Sequence, residues 1–385
     1  MKQLSETDVQ GKYVVARVDF DDPLTPTGQL ASDVRMRACL PTIEYLRTHG
    51  AKRIILVSKL GRPVMRPKER VELIQAGNPR LSLKPVALHL KTLLGLQPEK
   101  LGETFIENFP LPAYIIDKGL HLFENIRFDW REGANDDLFA ADLASLGDLY
   151  VFDAFAMAHR AEASTVGVAK HIPIVAGFQL AKEIENLSKL NARIQHPFML
   201  VLGGAKTETK LPLIERFFDR ADLFLLGGVM ANTFAKAQGI NVKRSTVDDN
   251  QLEKANGFYK RDPSKFALPS DFVWQNEKTM DLGSKTRDMF KERLASAKTI
   301  FWNGTLGVTS LTAQEFKFAS LDIARSIANN QSALTIVSGG DTIGFLDEQK
   351  VDFNQFTFVS TGGGATLEFL AGLKLPALEI LDRDL

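Results

Sequence analysis

Cysteine, net charge and long apolar stretches are all scarce in this sequence of 385 residues. Cys39 is the single cysteine, which excludes a disulfide framework and a thiolate metal cluster and fits a reducing cytoplasm. Basic and acidic residues each number 47, and this balance argues against a nucleic-acid-binding protein. No apolar run approaches the roughly 20 residues that span a bilayer, and the first residues are too polar for a signal peptide. We therefore expect a cytoplasmic monomer with no nucleic-acid or membrane partner.

The sequence also lacks the short motifs of several common chemistries. No GxGxxG follows a predicted strand, so a dinucleotide-binding site is disfavoured. The six histidines show neither HxxxH nor clustered spacing, which argues against zinc. GxSxG is absent, and Cys39 lies in a helical pattern, where a core position is expected rather than a nucleophile. These absences argue against a dehydrogenase, a zinc enzyme and a serine hydrolase.

Apolar strands alternate with helical patterns through both halves of the chain. Candidate strands occupy residues 13–20, 53–59, 120–126, 149–155, 198–203, 223–227, 299–303, 334–337 and 356–360. This alternation is typical of parallel α/β sheets covered on both faces, and the length favours two domains. A long amphipathic helix over residues 178–194 is expected to connect them. Pro41 is expected near the start of its helix, where a missing N–H is tolerated.

The strand-like runs of the first half end in basic residues. The cluster comprises Arg17, Arg35, Lys59, Arg62, Arg127 and Arg160. Ligands of open parallel sheets sit beyond the carboxyl ends of the strands, so these side chains are expected to converge on a small polyanion. Any single arginine could instead be a surface residue or a structural ion pair, and Arg17 is the weakest member because it sits inside a run. Asp19 and Asp21 lie beside the cluster, where they could hold arginines, cap a turn or accept a ligand hydroxyl.

Most runs of the second half end in glycines, whose backbone N–H groups suit a nucleotide's phosphates. They include Gly203, Gly204, Gly227, Gly228, Gly339, Gly340, Gly362, Gly363 and Gly364. In GGAKTETK, Lys206 and Lys210 are four apart, as on one helical face, although a turn with two solvated lysines is the alternative. Asp341 in SGGDT suits Mg²⁺ shared with phosphates, or only an Asx cap. Together the two halves indicate a kinase of an acidic metabolite.

With these motifs laid out, the chain resembles the phosphoglycerate kinase family from about residue 13 to residue 372. The similar segments, in family order, are RVDFDDP, SDVRMRACLPT, SKLGRP, FENIRF, DAFAMAHRAEASTVGV, AGFQLAKEI, LGGAKTETK, GGVMANTF, FWNGTLGV, SGGDT and STGGGATLEFL. The resemblance implies an α/β fold with two Rossmann-like parallel-sheet domains. Their expected bounds are an acid-substrate domain at 1–177, an interdomain helix at 178–194, a nucleotide domain at 195–367, and a segment at 368–385 that returns to the first domain.

The resemblance also implies reversible phosphoryl transfer between 1,3-bisphosphoglycerate and ADP with Mg²⁺. It implies that the acid, 3-phosphoglycerate or a similar compound, is bound by Asp19, Phe20, Asp21, Arg35, Lys59, Leu60, Gly61, Arg62, Arg127 and Arg160. It implies that the adenine nucleotide is bound by Gly203, Gly204, Lys206, Lys210, Gly227, Gly228, Gly283, Asn303, Gly307, Val308, Ser310, Gly339, Gly340, Asp341, Thr342, Gly362, Gly363 and Gly364. Arg35 and Lys206 are the expected catalytic residues, and Asp341 the expected metal ligand.

Several positions depart from the family pattern. The family usually has Asn at Asp21, His at Lys59, His at Glu162 and Asn at Phe152, all in the acid half. In the nucleotide half, Val229 replaces a glycine, and Ser310 replaces the ribose-binding Glu. Gln314 or Glu315 could supply the missing acceptor. These departures leave two alternatives open, which are a paralogous kinase of another small acidic carboxylate and a ligand-binding relative without turnover.

Overall fold

The computed structural model describes residues 1–25, 27–63, 79–192 and 194–382. The chain divides into two compact units by its internal contacts. Unit 1 comprises Met1–Ile184 with Lys374–Leu385, and unit 2 comprises Glu185–Leu373. Each unit is built around its own sheet, and each is described separately below.

The sheet of unit 1 has seven strands in the order β3-β4-β5-β2-β1-β6-β7. Their bounds are β1 Tyr13–Arg17, β2 Arg53–Val57, β3 Gly102–Phe105, β4 Pro112–Asp117, β5 Leu120–Phe123, β6 Leu149–Phe152 and β7 Ile174–Ala176. Five adjacent strands, β5, β2, β1, β6 and β7, run parallel to one another. Strand β4 is antiparallel to both of its neighbours, β3 and β5. Strand β1 (YVVAR), in the middle of the five parallel strands, is buried after its first residue, as a strand covered on both faces must be.

The main sheet of unit 2 has six parallel strands in the order β10-β9-β8-β13-β14-β15. Their bounds are β8 Phe198–Leu202, β9 Leu223–Leu226, β10 Phe266–Ala267, β13 Thr299–Asn303, β14 Leu334–Ser338 and β15 Phe358–Ser360. A separate antiparallel hairpin consists of β11 Phe272–Gln275 and β12 Lys278–Leu282. Apart from this hairpin, the strand order is that of a doubly wound Rossmann sheet. The predicted α/β fold class is confirmed.

The helices connect the strands and cover the sheets. They are α1 Val34–Thr48, α2 Lys84–Leu93, α3 Trp130–Gly133, α4 Asp137–Ser145, α5 Phe178–Asn191, α6 Leu211–Phe217, α7 Gly228–Ala237, α8 Leu252–Arg261, α9 Ser284–Ser296, α10 Phe318–Asn329, α11 Gly340–Glu348, α12 Gly364–Leu370 and α13 Pro376–Leu381. The boundary between the units falls inside α5. The prediction for Pro41 is wrong, because this residue lies in the middle of α1, where it costs the helix one hydrogen bond.

The order of strands reverses at β1/β6 in unit 1 and at β8/β13 in unit 2. In open α/β sheets a crevice forms outside the carboxyl ends of the strands at such a reversal. Asp19 follows β1, Gly203 follows β8 and Gly304 follows β13. Asp19 and Gly203, which the sequence analysis singled out, therefore each lie at the end of a strand beside such a reversal. No helix in the described ranges combines the length and the apolar character that a membrane span requires.

Candidate active site

The loop after β1 places three carboxylates beside the cations of unit 1. Asp19 forms an ion pair with Arg35, and Asp21 forms one with Lys59. The second oxygen of Asp21 accepts a hydrogen bond from the Gly61 backbone at 2.7 Å. The carboxylate that departs from the family pattern is therefore paired, and the lysine that also departs from it is its partner.

Asp22 is the third of these carboxylates, and sequence reasoning did not assign it a role. Its two oxygens accept the backbone N–H groups of Arg35 at 3.2 Å and Met36 at 3.0 Å, so it caps the first turn of α1. Burial and the neighbouring Asp19 raise the pKa of Asp22 to about 7. The Asp22 cap fixes the backbone of Arg35 and therefore the point from which the Arg35 side chain extends.

Arg127 is held by two contacts in the same cluster. Its guanidinium donates to Glu162 Oε1 at 2.6 Å and to the Gly61 carbonyl at 3.2 Å. Arg127 and Glu162 are 8% and 7% exposed, so the pair is largely shielded from solvent. As with Lys59 and Asp21, a carboxylate that departs from the family pattern neutralises a cation of the cluster.

The remaining predicted residues of this half differ in accessibility. Arg62 and Arg160 are exposed, and no carboxylate in the described ranges lies within ion-pair distance of either, so both are available to an anion. Phe20 and Leu60 are buried and shape the loops rather than offering polar groups. Arg17 is fully buried and donates to Ser164 Oγ at 3.0 Å and to the Val18 carbonyl at 2.6 Å, so it is paired within the fold.

Unit 2 contains a cavity of about 540 Å³ beside the carboxyl ends of β8 and β13. Of the predicted nucleotide residues, its wall includes Gly204, Gly228, Gly307, Val308, Ser310 and Asp341. One end is apolar and includes Val229, Phe272 and Leu306. The wall also includes the carboxylate Asp341, in the first turn of α11; we call the part of the wall at Asp341 the polar end and the part with Val229, Phe272 and Leu306 the apolar end. A cavity with one apolar and one polar end suits an amphipathic ligand.

The two lysines near Asp341 do not share a helical face. Residues 203–210 form turns, and α6 begins only at Leu211, so the prediction of a helical pair is wrong. Lys206 is exposed, whereas Lys210 is 6% exposed. Burial lowers the pKa of Lys210 to about 8, against the opposing effect of Asp341. Lys210 is therefore a buried cation near Asp341, and Lys206 is a solvent-exposed one.

Twelve predicted nucleotide residues are not among those that line the cavity. They are Gly203, Lys206, Lys210, Gly227, Gly283, Asn303, Gly339, Gly340, Thr342, Gly362, Gly363 and Gly364. Some of them hold loops together: the Thr342 hydroxyl accepts the Gly304 N–H at 2.9 Å. A Cβ on Gly227 would lie 2.4 Å from a Leu306 methyl, so this glycine permits the loops after β9 and β13 to touch. A Cβ on Gly283 would lie 2.3 Å from the Asp271 carboxyl group, away from the cavity.

The cavity wall also contains residues that sequence reasoning missed. Among them are Phe272, Thr279 and Asp281 on the β11–β12 hairpin and Glu348 at the end of α11. Burial raises the pKa of Asp281 to about 7. Gln314 and Glu315, the expected substitutes for the missing acceptor, are exposed and do not line the wall. The hairpin gave no sequence signal because its strands are short and partly exposed.

The residues at the polar end suit a magnesium ion that is shared with phosphates. In the described ranges, no group of three His, Cys, Asp or Glu side chains comes together as a protein-only cage. Asp341 is exposed and follows the glycine turn after β14. A single accessible carboxylate is what Mg²⁺ uses when the phosphates and water supply its other ligands.

A cationic cluster in one α/β unit and a glycine-walled cavity in the other are the features of a phosphotransferase that acts on a small anion. The family model for phosphoglycerate kinase matches residues 4–373. The chain belongs to the phosphoglycerate kinase family.

Individual relatives agree with this assignment. The phosphoglycerate kinase of Desulforudis audaxviator is 41% identical over 402 residues, which cover 99% of this chain and 98% of the relative. That of Dictyoglomus turgidum is 40% identical, with coverage of 98% and 97%. Among solved structures, phosphoglycerate kinase from Coxiella burnetii has a TM-score of 0.79 at 33% identity and covers 99% of both chains. The enzyme from Pyrococcus horikoshii OT3 has a TM-score of 0.83 at 29% identity, with coverage of 99% and 98%.

Proposed function

We propose that this protein catalyses reversible phosphoryl transfer between 1,3-bisphosphoglycerate and ADP, and that it does so in the cytoplasm. The observation that carries the proposal is the pairing of two complementary sites on one chain. Unit 1 offers Arg62 and Arg160 as accessible guanidiniums beside the Arg35 and Arg127 ion pairs. Unit 2 offers a cavity with Asp341 at its polar end. The family assignment and the near-complete coverage of the relatives support the same substrates.

The residues present suit a mechanism without a general base. The carboxylate of 3-phosphoglycerate is already a nucleophile, so the protein must orient it and stabilise the charge on the phosphoryl group that is transferred. Arg35 is aimed by its ion pair with Asp19 and by the Asp22 cap. Lys206 is an exposed lysine on the turn after β8. We assign these two residues to the transferring phosphoryl group.

Asp341 would hold Mg²⁺, which supplies charge neutralisation at the nucleotide phosphates. In the proposal, residues 1–177 bind the acid and residues 195–367 bind the nucleotide, with the helix at 178–194 as the hinge. Closure then excludes water and brings Arg35 and Lys206 to the same phosphoryl group. The contact boundary inside α5 supports a hinge at this helix.

A coupled assay with 3-phosphoglycerate and ATP tests the proposal directly. We expect ADP release that depends on the acid and on Mg²⁺. Turnover with another small carboxylate but not with 3-phosphoglycerate would instead identify a paralogous kinase. Heat-shift stabilisation by an acid and ADP without any turnover would identify a ligand-binding relative. The paired carboxylates Asp21 and Glu162 are the features that favour the paralogue, because they reduce the positive charge of the cluster.

The ionisation of Lys59 predicts a pH limit on acid binding. Burial lowers the pKa of Lys59 to about 8, with Arg127 and Arg17 adding to this effect and Asp19 opposing it. Since the ammonium loses its charge above this pH, kcat/KM for the acid at saturating nucleotide should fall above about pH 8. Lys59→Arg keeps its charge and should extend the plateau by about one pH unit. If kcat/KM falls at the same alkaline pH in the wild type and in Lys59→Arg, the role of Lys59 is contradicted.

Val229 should weaken nucleotide binding by occupying the apolar end of the cavity. This half-buried side chain lies at the start of α7, next to Gly204. Val229→Gly removes the whole isopropyl side chain and lets the ligand approach the backbone, so ADP should bind on the order of fivefold more tightly. Calorimetric titration measures the change, and Val242→Gly, a buried valine that is not among the wall residues, serves as the control. Unchanged ADP affinity in Val229→Gly would show that the valine does not crowd the ligand.

A further inference from the structure

One face of α11 runs along the cavity of unit 2. Asp341, Phe345 and Glu348 all line the wall, and their spacing of four and three residues places them on the same helical face. Because an α-helix rises 1.5 Å per residue, Glu348 lies roughly 10 Å along the helix axis from Asp341. A carboxylate therefore stands well away from the polar end that we assign to the phosphates.

Glu348 is held in place and still has an accessible oxygen. Lys317, whose side chain is 5% exposed, donates to Glu348 Oε1 at 3.1 Å. Gln349 approaches the same oxygen at 3.5 Å. No residue in the described part of the chain donates to Oε2, and the Glu348 side chain is 61% exposed. One oxygen is therefore committed to the protein, and the other is open to a ligand.

The other two carboxylates of the wall are either buried or placed at the phosphate end. Asp281 is 2% exposed, and its Oδ2 accepts the Ala319 N–H at 2.9 Å. Its Oδ1 has no hydrogen-bond partner in the described ranges, but this oxygen is shielded from solvent and packed against Gly307, where an added Cβ would lie only 2.3 Å away. Asp341 lies at the phosphate end with Lys210 nearby. Among the carboxylates of the described wall, Glu348 is the one that combines a fixed position with an open oxygen away from the phosphates.

A nucleotide carries a pair of neighbouring hydroxyl groups between its phosphates and its base. A carboxylate is the usual acceptor for ribose hydroxyls in α/β nucleotide sites, and it accepts more strongly than a neutral hydroxyl. Ser310 and Thr309 also line the wall, but each offers only a neutral hydroxyl. We propose that Glu348, positioned by Lys317, accepts a hydrogen bond from the 2′-hydroxyl of the bound nucleotide and so selects ribonucleotides over 2′-deoxyribonucleotides. This inference rests on the proposed function, which places a nucleotide in this cavity.

Titration calorimetry with ADP and with 2′-deoxy-ADP tests the inference. Loss of a hydrogen bond to a charged acceptor should make the wild type bind ADP at least about tenfold more tightly than 2′-deoxy-ADP. In Glu348→Gln the amide oxygen can still accept from Lys317, and the amide N–H₂ then takes the place of the open oxygen. Because N–H₂ is a donor and not an acceptor, the preference for ADP over 2′-deoxy-ADP should fall to about twofold or less. Compared with the wild type, Glu348→Gln should bind ADP more weakly and should bind 2′-deoxy-ADP with nearly unchanged affinity.

Glu315→Gln is the matched control. It removes the same charge from an exposed glutamate on the neighbouring short helix Gln314–Phe316, which does not line the cavity, and it should keep the wild-type preference. A wild-type preference that persists in Glu348→Gln overturns the inference and leaves the proposed function intact. A wild-type protein that binds neither nucleotide overturns the proposed function itself.

Discussion

Lys206→Ala should lower kcat by about 10²–10³-fold and should change the KM for ADP and for the acid much less. Lys206 lies on the turn after β8, and no described residue pairs with its ammonium. In the proposed mechanism Lys206 meets the phosphoryl group only during transfer, so its charge should stabilise the transition state more than the ground state. Steady-state kinetics with both substrates varied separates these two effects.

Lys236→Ala is the matched control for Lys206. Lys236 is a partly exposed lysine on α7 that pairs with Asp249 at 2.7 Å, and its removal should leave kcat within about twofold of the wild type. Arg35→Ala should reproduce the fall in kcat seen for Lys206→Ala. A Lys206→Ala enzyme with full kcat and a raised KM would show that Lys206 only binds substrate.

Arg17→Met should destabilise the protein by about 3–5 kcal/mol. Arg17 is fully buried, and its Nε donates to Ser164 Oγ at 3.0 Å, which in turn donates to Glu132 Oε1 at 2.6 Å. Burial raises the pKa of Glu132, and the positive charge of Arg17 counteracts this rise. Removal of the guanidinium leaves a buried carboxyl group without its compensating charge. The free energy of unfolding from guanidinium titration measures the loss.

Two further variants separate a charge effect from a packing effect. Arg62→Ala removes an exposed arginine of the same unit and should change stability by no more than about 0.5 kcal/mol. Adding Glu132→Met to Arg17→Met removes the uncompensated carboxyl group and should recover part of the lost stability. The charge explanation predicts that the double variant is more stable than Arg17→Met alone. If Glu132→Met instead lowers the free energy of unfolding further, as an ordinary core substitution would, the charge explanation fails.

The sequence located the strands well because continuous apolar runs are a local signal. Eight of the nine predicted strands begin at the observed residue, from Tyr13 to Leu334. Several predicted strands extend too far, since residues such as Val18 and Phe20 leave the ladder to form the loop that carries Asp19. The edge strand β3 was missed because it is partly exposed and carries no apolar run, and β7 and β10 were missed because they have only three and two residues.

The charge balance of the acid site could not be predicted from single positions. Asp21 pairs with a lysine 38 residues away, and Glu162 pairs with an arginine 35 residues away. Each carboxylate taken alone predicts repulsion of an acidic ligand. Only the fold shows that each has a cation as its partner. Likewise, no sequence motif marks Glu348, because the role proposed for it depends on the cavity and on Lys317, 31 residues away.

The β11–β12 hairpin stands apart from the main sheet of unit 2, yet Phe272 and Thr279 from it line the cavity. The polar end of the cavity, in contrast, depends on residues that follow strands of the sheet. A change of hairpin sequence therefore alters the surroundings of the apolar part of a ligand and leaves the scaffold of the phosphate end in place. Under the proposed function, we expect natural drift and laboratory selection to retarget base preference through residues 272–280, none of which is buried, at little risk to phosphoryl transfer. A library confined to this segment is accordingly the economical starting point for making this kinase accept a different nucleoside triphosphate.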